Sequence, residues 1–261
     1  MVARGTTSLM RGALRIQEGG DGEPVLLLLH GLGANGDVWH GLHEVLRSRW
    51  PGRWVTPDLP GHGRSTSLPR YSFRDLAAAV AHTVQSANRL IVLGHSLGGV
   101  VALALAGGSF GVPVSAVCGL GIKVEWTGEE LARARALSAR PNPLYSARNE
   151  AAERHLKLAG LTGLLAPDAV GDAALERRDD GWTVAFDPAV FAVGAPDMVG
   201  LLAAARAPVL LIAGERDPMC TAEQLRRLVP DPVILPGLGH NAHVEAPAAL
   251  WPLLERLASL A

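Results

Sequence analysis

Short apolar runs alternate with stretches of helical periodicity along most of the chain. The runs lie at 25–29, 53–57, 89–93, 113–120, 207–213 and 232–236. Most of them lack polar alternation, which is typical of parallel strands buried on both faces. Apolar residues recur at helical spacing near 36–48 and over 72–86, and two shorter strands are predicted within 8–17. Strands that alternate with helices predict an α/β fold, with a mostly parallel sheet flanked by helices on both faces.

Residues 123–204 depart from this alternation. The segment is rich in Ala, Arg, Glu and Leu, with helical patterns over 129–140 and 146–158. We therefore predict a helical cap inserted between two parts of one core, residues 1–122 and 205–261. A cap at this place lies over the carboxyl ends of the strands, where open α/β sheets bind ligands. We expect it to shape specificity and to exclude water.

A candidate nucleophile follows one of the predicted strands. The pattern G-x-S-x-G occurs there, in the run Leu93-Gly94-His95-Ser96-Leu97-Gly98. At a turn from strand to helix this pattern exposes the serine hydroxyl on a strained bend, and the two glycines leave room for that bend. Ser96 is thus a candidate nucleophile. The alternative is that Ser96 only caps a helix in a glycine-rich turn.

A serine nucleophile needs a base and a group that orients the base. The predicted strand 207–213 runs directly into Gly214-Glu215-Arg216-Asp217, and His240 follows the strand 232–236. Both residues are therefore expected at the edge of the sheet that carries Ser96. Nearby residues offer alternatives for these roles, namely Glu215 and Asp197 for the acid and His243 for the base.

The chain resembles the α/β-hydrolase superfamily over residues 8–122 and 205–261. The motifs that carry the resemblance are Leu29-His30-Gly31-Leu32-Gly33, Asp58-Leu59-Pro60-Gly61-His62-Gly63-Arg64-Ser65, Gly94-His95-Ser96-Leu97-Gly98-Gly99, Gly214-Glu215-Arg216-Asp217 and Gly239-His240-Asn241-Ala242-His243-Val244-Glu245-Ala246-Pro247. The chain order serine, acid, histidine is the one found with this nucleophile elbow. The resemblance implies an oxyanion hole formed by the backbone N–H groups of Leu32 and Leu97.

Composition narrows the classes of partner. The chain has 261 residues, 48% of them hydrophobic, which is enough for one core and an insertion. A formal net charge of -1, with 24 basic and 25 acidic residues, disfavours nucleic-acid binding. The N-terminal sequence has no apolar signal region, and no run is long enough to span a membrane, so we expect a cytoplasmic protein. Two cysteines in different contexts predict neither a disulfide framework nor a metal site.

The predicted function is hydrolysis of a small ester, thioester or lactone through an acyl-enzyme on Ser96, without a metal or organic cofactor. Candidate substrate contacts in the cap are Lys123, Trp126, Tyr145 and Trp182. Lys123 would meet a substrate carboxylate, and the alternatives for it are a solvated surface position or pairing with Glu125.

Other chemistries share this scaffold and stay open. A carbon-carbon bond hydrolase, a cofactor-free oxygenase and a non-catalytic ligand receptor are the alternatives. Fold alone does not decide among these activities.

Overall fold

The computed structural model describes residues 6–261 and confirms the predicted fold class. The strands are β1 (Thr7–Arg11), β2 (Leu14–Gly19), β3 (Val25–Leu29), β4 (Trp54–Pro57), β5 (Leu90–His95), β6 (Val114–Leu120), β7 (Leu175–Arg178), β8 (Gly181–Val184), β9 (Val209–Gly214) and β10 (Val233–Leu235). The α-helices are α1 (His40–Arg49), α2 (Phe73–Ala81), α3 (Leu97–Ala106), α4 (Gly128–Ser138), α5 (Arg148–Leu158), α6 (Met198–Ala204), α7 (Ala222–Arg226), α8 (Ala242–Glu245) and α9 (Trp251–Leu260).

Eight strands form one sheet in the order β1-β2-β4-β3-β5-β6-β9-β10. The pairs β1–β2 and β2–β4 are antiparallel, and all the other neighbours in this sheet are parallel. The carboxyl ends of the parallel strands therefore meet along one edge. The loops that follow β3, β5, β9 and β10 carry the candidate site residues to that edge.

Apolar side chains lie on both faces of the sheet, and helices pack against each face. One cluster contains Leu27, Leu29 and Val92 with the helices α2 and α3. The other contains Leu26 and Leu28 with α1 and α9. Successive residues of β3 thus point into opposite cores, which explains its unbroken run of valine and leucine.

The segment between β6 and β9 is only partly helical, so the prediction of a helical cap needs correction. It contains α4 and α5, but also the antiparallel hairpin β7–β8. The run Leu175-Glu176-Arg177-Arg178-Asp179-Asp180-Gly181-Trp182-Thr183-Val184 has a turn at its centre. Gly181, with a φ of 151°, begins β8, and a Cβ there would lie 2.3 Å from the carbonyl oxygen of Tyr145. The D-G turn between strand-forming residues was the available signal for this hairpin.

Two predicted helices also differ in extent from their helical patterns. The pattern near 36–48 begins as a 3₁₀ turn, Gly36–Trp39, and continues as α1. The pattern from 72 to 86 is helical only to Ala81, and Thr83 Oγ1 donates to the carbonyl of Val80 just beyond that end.

Within residues 6–261, no helix combines the length and apolar character needed to cross a membrane.

We expect the protein to lose stability in mild acid, because several of its histidines are buried. Burial lowers the pKa of His62 and His155 to about 4, and that of His43 and His243 to about 3. The unfolded chain binds these protons near pH 6.5, so the stabilisation is complete above that pH and is lost as pH falls toward 4. Each group contributes at most about 1.4 kcal/mol per pH unit to this loss.

The measurement is urea unfolding at a series of pH values below neutrality. We expect the free energy of unfolding to decrease steadily from about pH 6.5 downward. His155→Gln is expected to reduce the slope, whereas the matched change His82→Gln, at an exposed histidine, leaves it unchanged. A free energy of unfolding that stays constant from neutrality to pH ~4.5 would contradict this expectation.

Candidate active site

Ser96 occupies a strained turn between β5 and α3. Its φ of 50° makes it the only non-glycine residue with positive φ within residues 6–261. Its backbone N–H donates to the carbonyl of Leu120 (2.8 Å), which fixes the turn against β6. Positive φ is costly for a side chain with a Cβ, and such strain is typical of functional positions. The structure therefore forms the elbow that the G-x-S-x-G pattern predicts.

The glycines around Ser96 allow α3 to lie close to the sheet. A Cβ at Gly98 would lie 2.4 Å from the carbonyl oxygen of Leu29 and 2.5 Å from that of His30. A Cβ at Gly94 would lie 2.1 Å from the carbonyl oxygen of Gly98. Real side chains do not approach backbone this closely, so the elbow requires glycine at both positions.

Gly98→Ala is expected to destabilise the protein, because its methyl group would push α3 away from β3. Overpacking of this kind costs about 1–3 kcal/mol in the free energy of unfolding. The matched control is Gly128→Ala in α4, where an added Cβ meets no atom within 4 Å. Urea unfolding of both variants is the measurement. Equal stability of Gly98→Ala and Gly128→Ala would show that the elbow tolerates a side chain.

His240 and Asp217 form a hydrogen-bonded pair beside the elbow. His240 Nδ1 lies 2.9 Å from Asp217 Oδ2, and the Asp217 side chain is fully buried. The other carboxylate oxygen, Oδ1, accepts the N–H of Met219 (2.8 Å). A Cβ on Gly121 would lie 3.2 Å from Asp217 Oδ2 and 3.3 Å from His240 Nδ1, so the end of β6 lies against this pair. With Nδ1 facing a carboxylate, Nε2 is the nitrogen left to accept a proton.

The alternative acids and the alternative base are placed differently. Glu215 accepts the N–H of Gly237 (2.7 Å), and Asp197 caps α6 by accepting the N–H of Gly200 (2.9 Å). His243 is buried, and its Nδ1 has no hydrogen-bond partner among the described residues. Of these candidates, only Asp217 contacts the imidazole of His240.

His95 joins the nucleophile strand to the loop of His240, a contact that the sequence did not predict. Its Nε2 donates to the carbonyl oxygen of His240 (3.0 Å), and the two ring centroids are 4.7 Å apart. The His95 ring also lies 4.3 Å from that of His243. Burial and the neighbouring imidazoles lower the pKa of His95 well below its ordinary value. His95 is thus a neutral donor that ties the backbone at His240 to the residue before Ser96.

Leu32 and Leu97, the residues predicted to form the oxyanion hole, border the space in front of Ser96. Leu97 is the first residue of α3, where an N–H has no acceptor inside the helix. Leu32 lies in the loop after β3, and Ser96, Leu32 and Leu97 line the same cavity. The predicted oxyanion donors therefore border one space together with the candidate nucleophile.

Hydrogen bonds of His30 and Asp58 stabilise the loop that carries Leu32. His30 Nδ1 donates to the carbonyl of Gly31 (2.8 Å), and its Nε2 accepts the N–H of Leu59 (2.8 Å). Asp58 accepts the N–H of Gly36 (2.8 Å) and pairs with Arg15 (3.1 Å). Both side chains are buried, and their polar atoms support the loops rather than face the cavity.

A cavity of about 470 Å³ lies between Ser96 and the segment 123–204. Its wall is mostly apolar, and the residues that line it besides Ser96, Leu32 and Leu97 include Phe73, Val100, Leu131, Leu137, Phe191, Val193 and Met219. Most of these residues were not among the sequence predictions. They come from separate parts of the chain, and only the packing of α4 against residues 188–193 brings them together.

Of the predicted cap contacts, Lys123 and Trp126 line this cavity, whereas Tyr145 and Trp182 do not. Lys123 Nζ pairs with Glu130 (2.9 Å) and lies 5.3 Å from the centre of the Trp126 ring. Its partner is therefore not Glu125, which pairs with Arg227 (2.7 Å).

Tyr145 and Trp182 pair with each other through backbone hydrogen bonds, each 2.8 Å long. Both pack against the apolar cluster that contains α1 and α9, on the face of the sheet opposite α2 and α3. Their place as substrate contacts thus needs correction, because the hairpin β7–β8 directs them to packing positions.

Neither cysteine forms a disulfide. Both are buried and free, and burial raises the pKa of the Cys220 thiol to about 12. Among residues 6–261, no group of three histidine, cysteine or acidic side chains is arranged to hold a metal ion.

Comparison with known proteins agrees with this architecture. The sequence profile of the alpha/beta hydrolase family matches residues 26–252. A parallel sheet with an elbow serine and a histidine–carboxylate pair at its carboxyl edge defines the class of α/β hydrolases. The chain belongs to the alpha/beta hydrolase family.

Individual relatives differ in what their names describe. The magnesium-chelatase 30 kDa subunit of Rhodobacter capsulatus is 36% identical over 213 residues, covering 74% of this chain and 71% of that protein. A pimeloyl-[acyl-carrier protein] methyl ester esterase of Salmonella newport is 41% identical over 87 residues, 33% of this chain and 32% of that protein. The crystal structure of E-2-(acetamidomethylene)succinate hydrolase matches with a TM-score of 0.78 and 23% identity, covering 98% of this chain and 99% of that chain.

Proposed function

We propose that this protein is a serine hydrolase that cleaves a small ester, thioester or lactone. The observation that carries the proposal is the 2.9 Å contact of His240 with buried Asp217, beside an elbow serine that lines an apolar cavity. The sequence similarity to a methyl ester esterase, although limited to 87 residues, supports an ester-type bond.

In the proposed mechanism, Ser96 Oγ attacks the substrate carbonyl while His240 Nε2 accepts its proton. Asp217 holds the imidazole in the tautomer with a proton on Nδ1 and stabilises the imidazolium that forms. The N–H groups of Leu32 and Leu97 stabilise the developing oxyanion, an effect that commonly contributes about 3–4 kcal/mol. His240 then protonates the leaving group, and water hydrolyses the acyl-enzyme.

The segment 123–204 is proposed to act as a cap over residues 1–122 and 205–261. It supplies one wall of the cavity through α4, and removal of water from that cavity strengthens the interactions that stabilise charge. Its apolar lining favours an acyl or aromatic group of moderate size. No cofactor enters this mechanism, because serine, histidine and the backbone donors account for each step.

A panel of p-nitrophenyl esters, thioesters and lactones tests the proposal. We expect an initial burst of product equal to the enzyme concentration, with a mass increase on Ser96 that matches the acyl group. Ester turnover that persists in Ser96→Ala would contradict the role of Ser96 as the nucleophile, whereas full activity of Ser96→Ala on the natural substrate would favour a cofactor-free oxygenase of the same fold. Tight binding of these compounds without any product would favour a ligand receptor.

A further inference from the structure

The charged side chains that line the cavity are unequally paired. They are Lys123, Glu130 and Arg133. Lys123 Nζ lies 2.9 Å from Glu130 Oε1, and Glu130 Oε2 accepts the backbone N–H of Thr127 (2.9 Å) in the capping box of α4. Both carboxylate oxygens of Glu130 are therefore already engaged, and these contacts lower its pKa.

Arg133 is the cation that remains. It lies on α4 beside the lining residues Leu131 and Ala134, and its side chain is exposed at the cavity. Within residues 6–261, no carboxylate oxygen lies within 4.0 Å of its guanidinium. Glu129, one helical turn earlier, makes no ion pair with it. The cavity thus carries one uncompensated positive charge, supplied by Arg133.

The surroundings of Arg133 favour one kind of ligand group. Most of the other lining residues are apolar, so the charge lies at the border of a region of low dielectric, where electrostatic attraction is less screened than in bulk water. A guanidinium offers a planar fork of N–H donors that matches a carboxylate in a bidentate arrangement. A neutral acyl chain would form no ion pair with this guanidinium.

We propose that Arg133 binds a carboxylate carried by the substrate at the end remote from the scissile bond. The substrate would then be an ester, thioester or lactone whose acyl part has an apolar middle and an anionic end. This inference rests on the proposed hydrolase function for the position of the scissile bond. It assigns to Arg133 the role that the sequence gave as a candidate to Lys123, because the ammonium of Lys123 is already paired with Glu130.

The test compares two series of p-nitrophenyl esters of increasing chain length, one ending in a carboxylate and the other in a primary amide of similar shape. At the best length, we expect kcat/KM to be about ten-fold higher for the carboxylate than for the amide, and this ratio to fall with added salt. Arg133→Gln is expected to bring the ratio close to one. The matched control Arg135→Gln changes an exposed arginine of the same helix that does not line the cavity, and should keep the ratio. Equal rates in the wild type, or a preference that survives Arg133→Gln, would overturn the assignment.

A binding measurement separates this inference from the proposed function. Calorimetry on Ser96→Ala uses the monoamide of a linear dicarboxylic acid, with the diamide as the neutral reference. We expect only the acid to bind, and its binding to be lost when Arg133→Gln is added. Binding of the acid without turnover of any ester in the wild type would support the Arg133 site and contradict the hydrolase function. Turnover of amide-ended esters without binding of the acid would support the hydrolase function and contradict the Arg133 site.

Discussion

Replacing Ser96 by alanine is expected to lower kcat/KM for ester hydrolysis by about 10⁴-fold or more, with the fold intact. The loss is large because the acyl-enzyme cannot form and the remaining groups act only through binding and the oxyanion donors. Alanine keeps the Cβ of this half-buried residue and removes only the hydroxyl group, so no apolar atom is lost. The measurement is steady-state hydrolysis of the best p-nitrophenyl ester, together with urea unfolding of each protein.

The control for this prediction is Ser138→Ala, at the last residue of α4. Ser138 Oγ donates to the carbonyl of Arg135 in the same helix, and its removal should leave hydrolysis at the wild-type rate. A Ser96→Ala variant that is folded and retains more than about a tenth of the wild-type rate would contradict the assignment of the nucleophile.

The second large effect is expected at His240, and it distinguishes this residue from its neighbour His243. His240→Gln removes the base that pairs with Asp217 and should lower kcat by about 10⁴-fold. His243→Gln changes a buried ring that contacts Trp39 and His95, so its main effect is expected on stability. The ratio of kcat between the two variants is the informative quantity, measured at a temperature where both are folded.

Asp217→Asn completes this comparison, because it keeps the shape of the side chain but favours the wrong tautomer of His240. We expect a loss in kcat close to that of His240→Gln, and much less than the sum of the two losses when both changes are combined. Glu215→Gln is the matched control, since Glu215 contacts the N–H of Gly237 instead. Full activity of Asp217→Asn, or a larger loss in His243→Gln than in His240→Gln, would contradict the proposed roles.

The fold and the candidate triad could be predicted because local sequence signals determine them. Each candidate residue lies within four residues of the end of an apolar run long enough for a strand, and parallel strands bring their carboxyl ends to one edge. The elbow at Ser96 has its own signal, since Gly94 and Gly98 are required by the close approach of α3 to the sheet. The 2.9 Å contact between Asp217 and His240 then follows from the neighbouring positions of β9 and β10.

The arrangement of residues 123–204 was harder to predict, because its interactions join residues that are distant in the chain or that have similar sequence neighbours. Trp126 and Trp182 have similar sequence surroundings, but the hairpin β7–β8 directs Trp182 toward Tyr145 and away from the cavity. Lys123 has acidic neighbours at 125 and 130, and only the capping geometry of α4 selects Glu130. Periodicity identifies which face of a helix is apolar, but it does not identify the surface against which that face packs.

Ser96 is proposed to be an activated nucleophile, and its reaction with a small fluorophosphonate measures that activation. Intact mass spectrometry would be carried out on the wild type, on Ser96→Ala and on Ser138→Ala after equal exposure. We expect a single adduct on the wild type and on Ser138→Ala, located on the peptide that contains Ser96, and none on Ser96→Ala. Folded wild type that stays unmodified, or an adduct that persists in Ser96→Ala, would contradict the proposal.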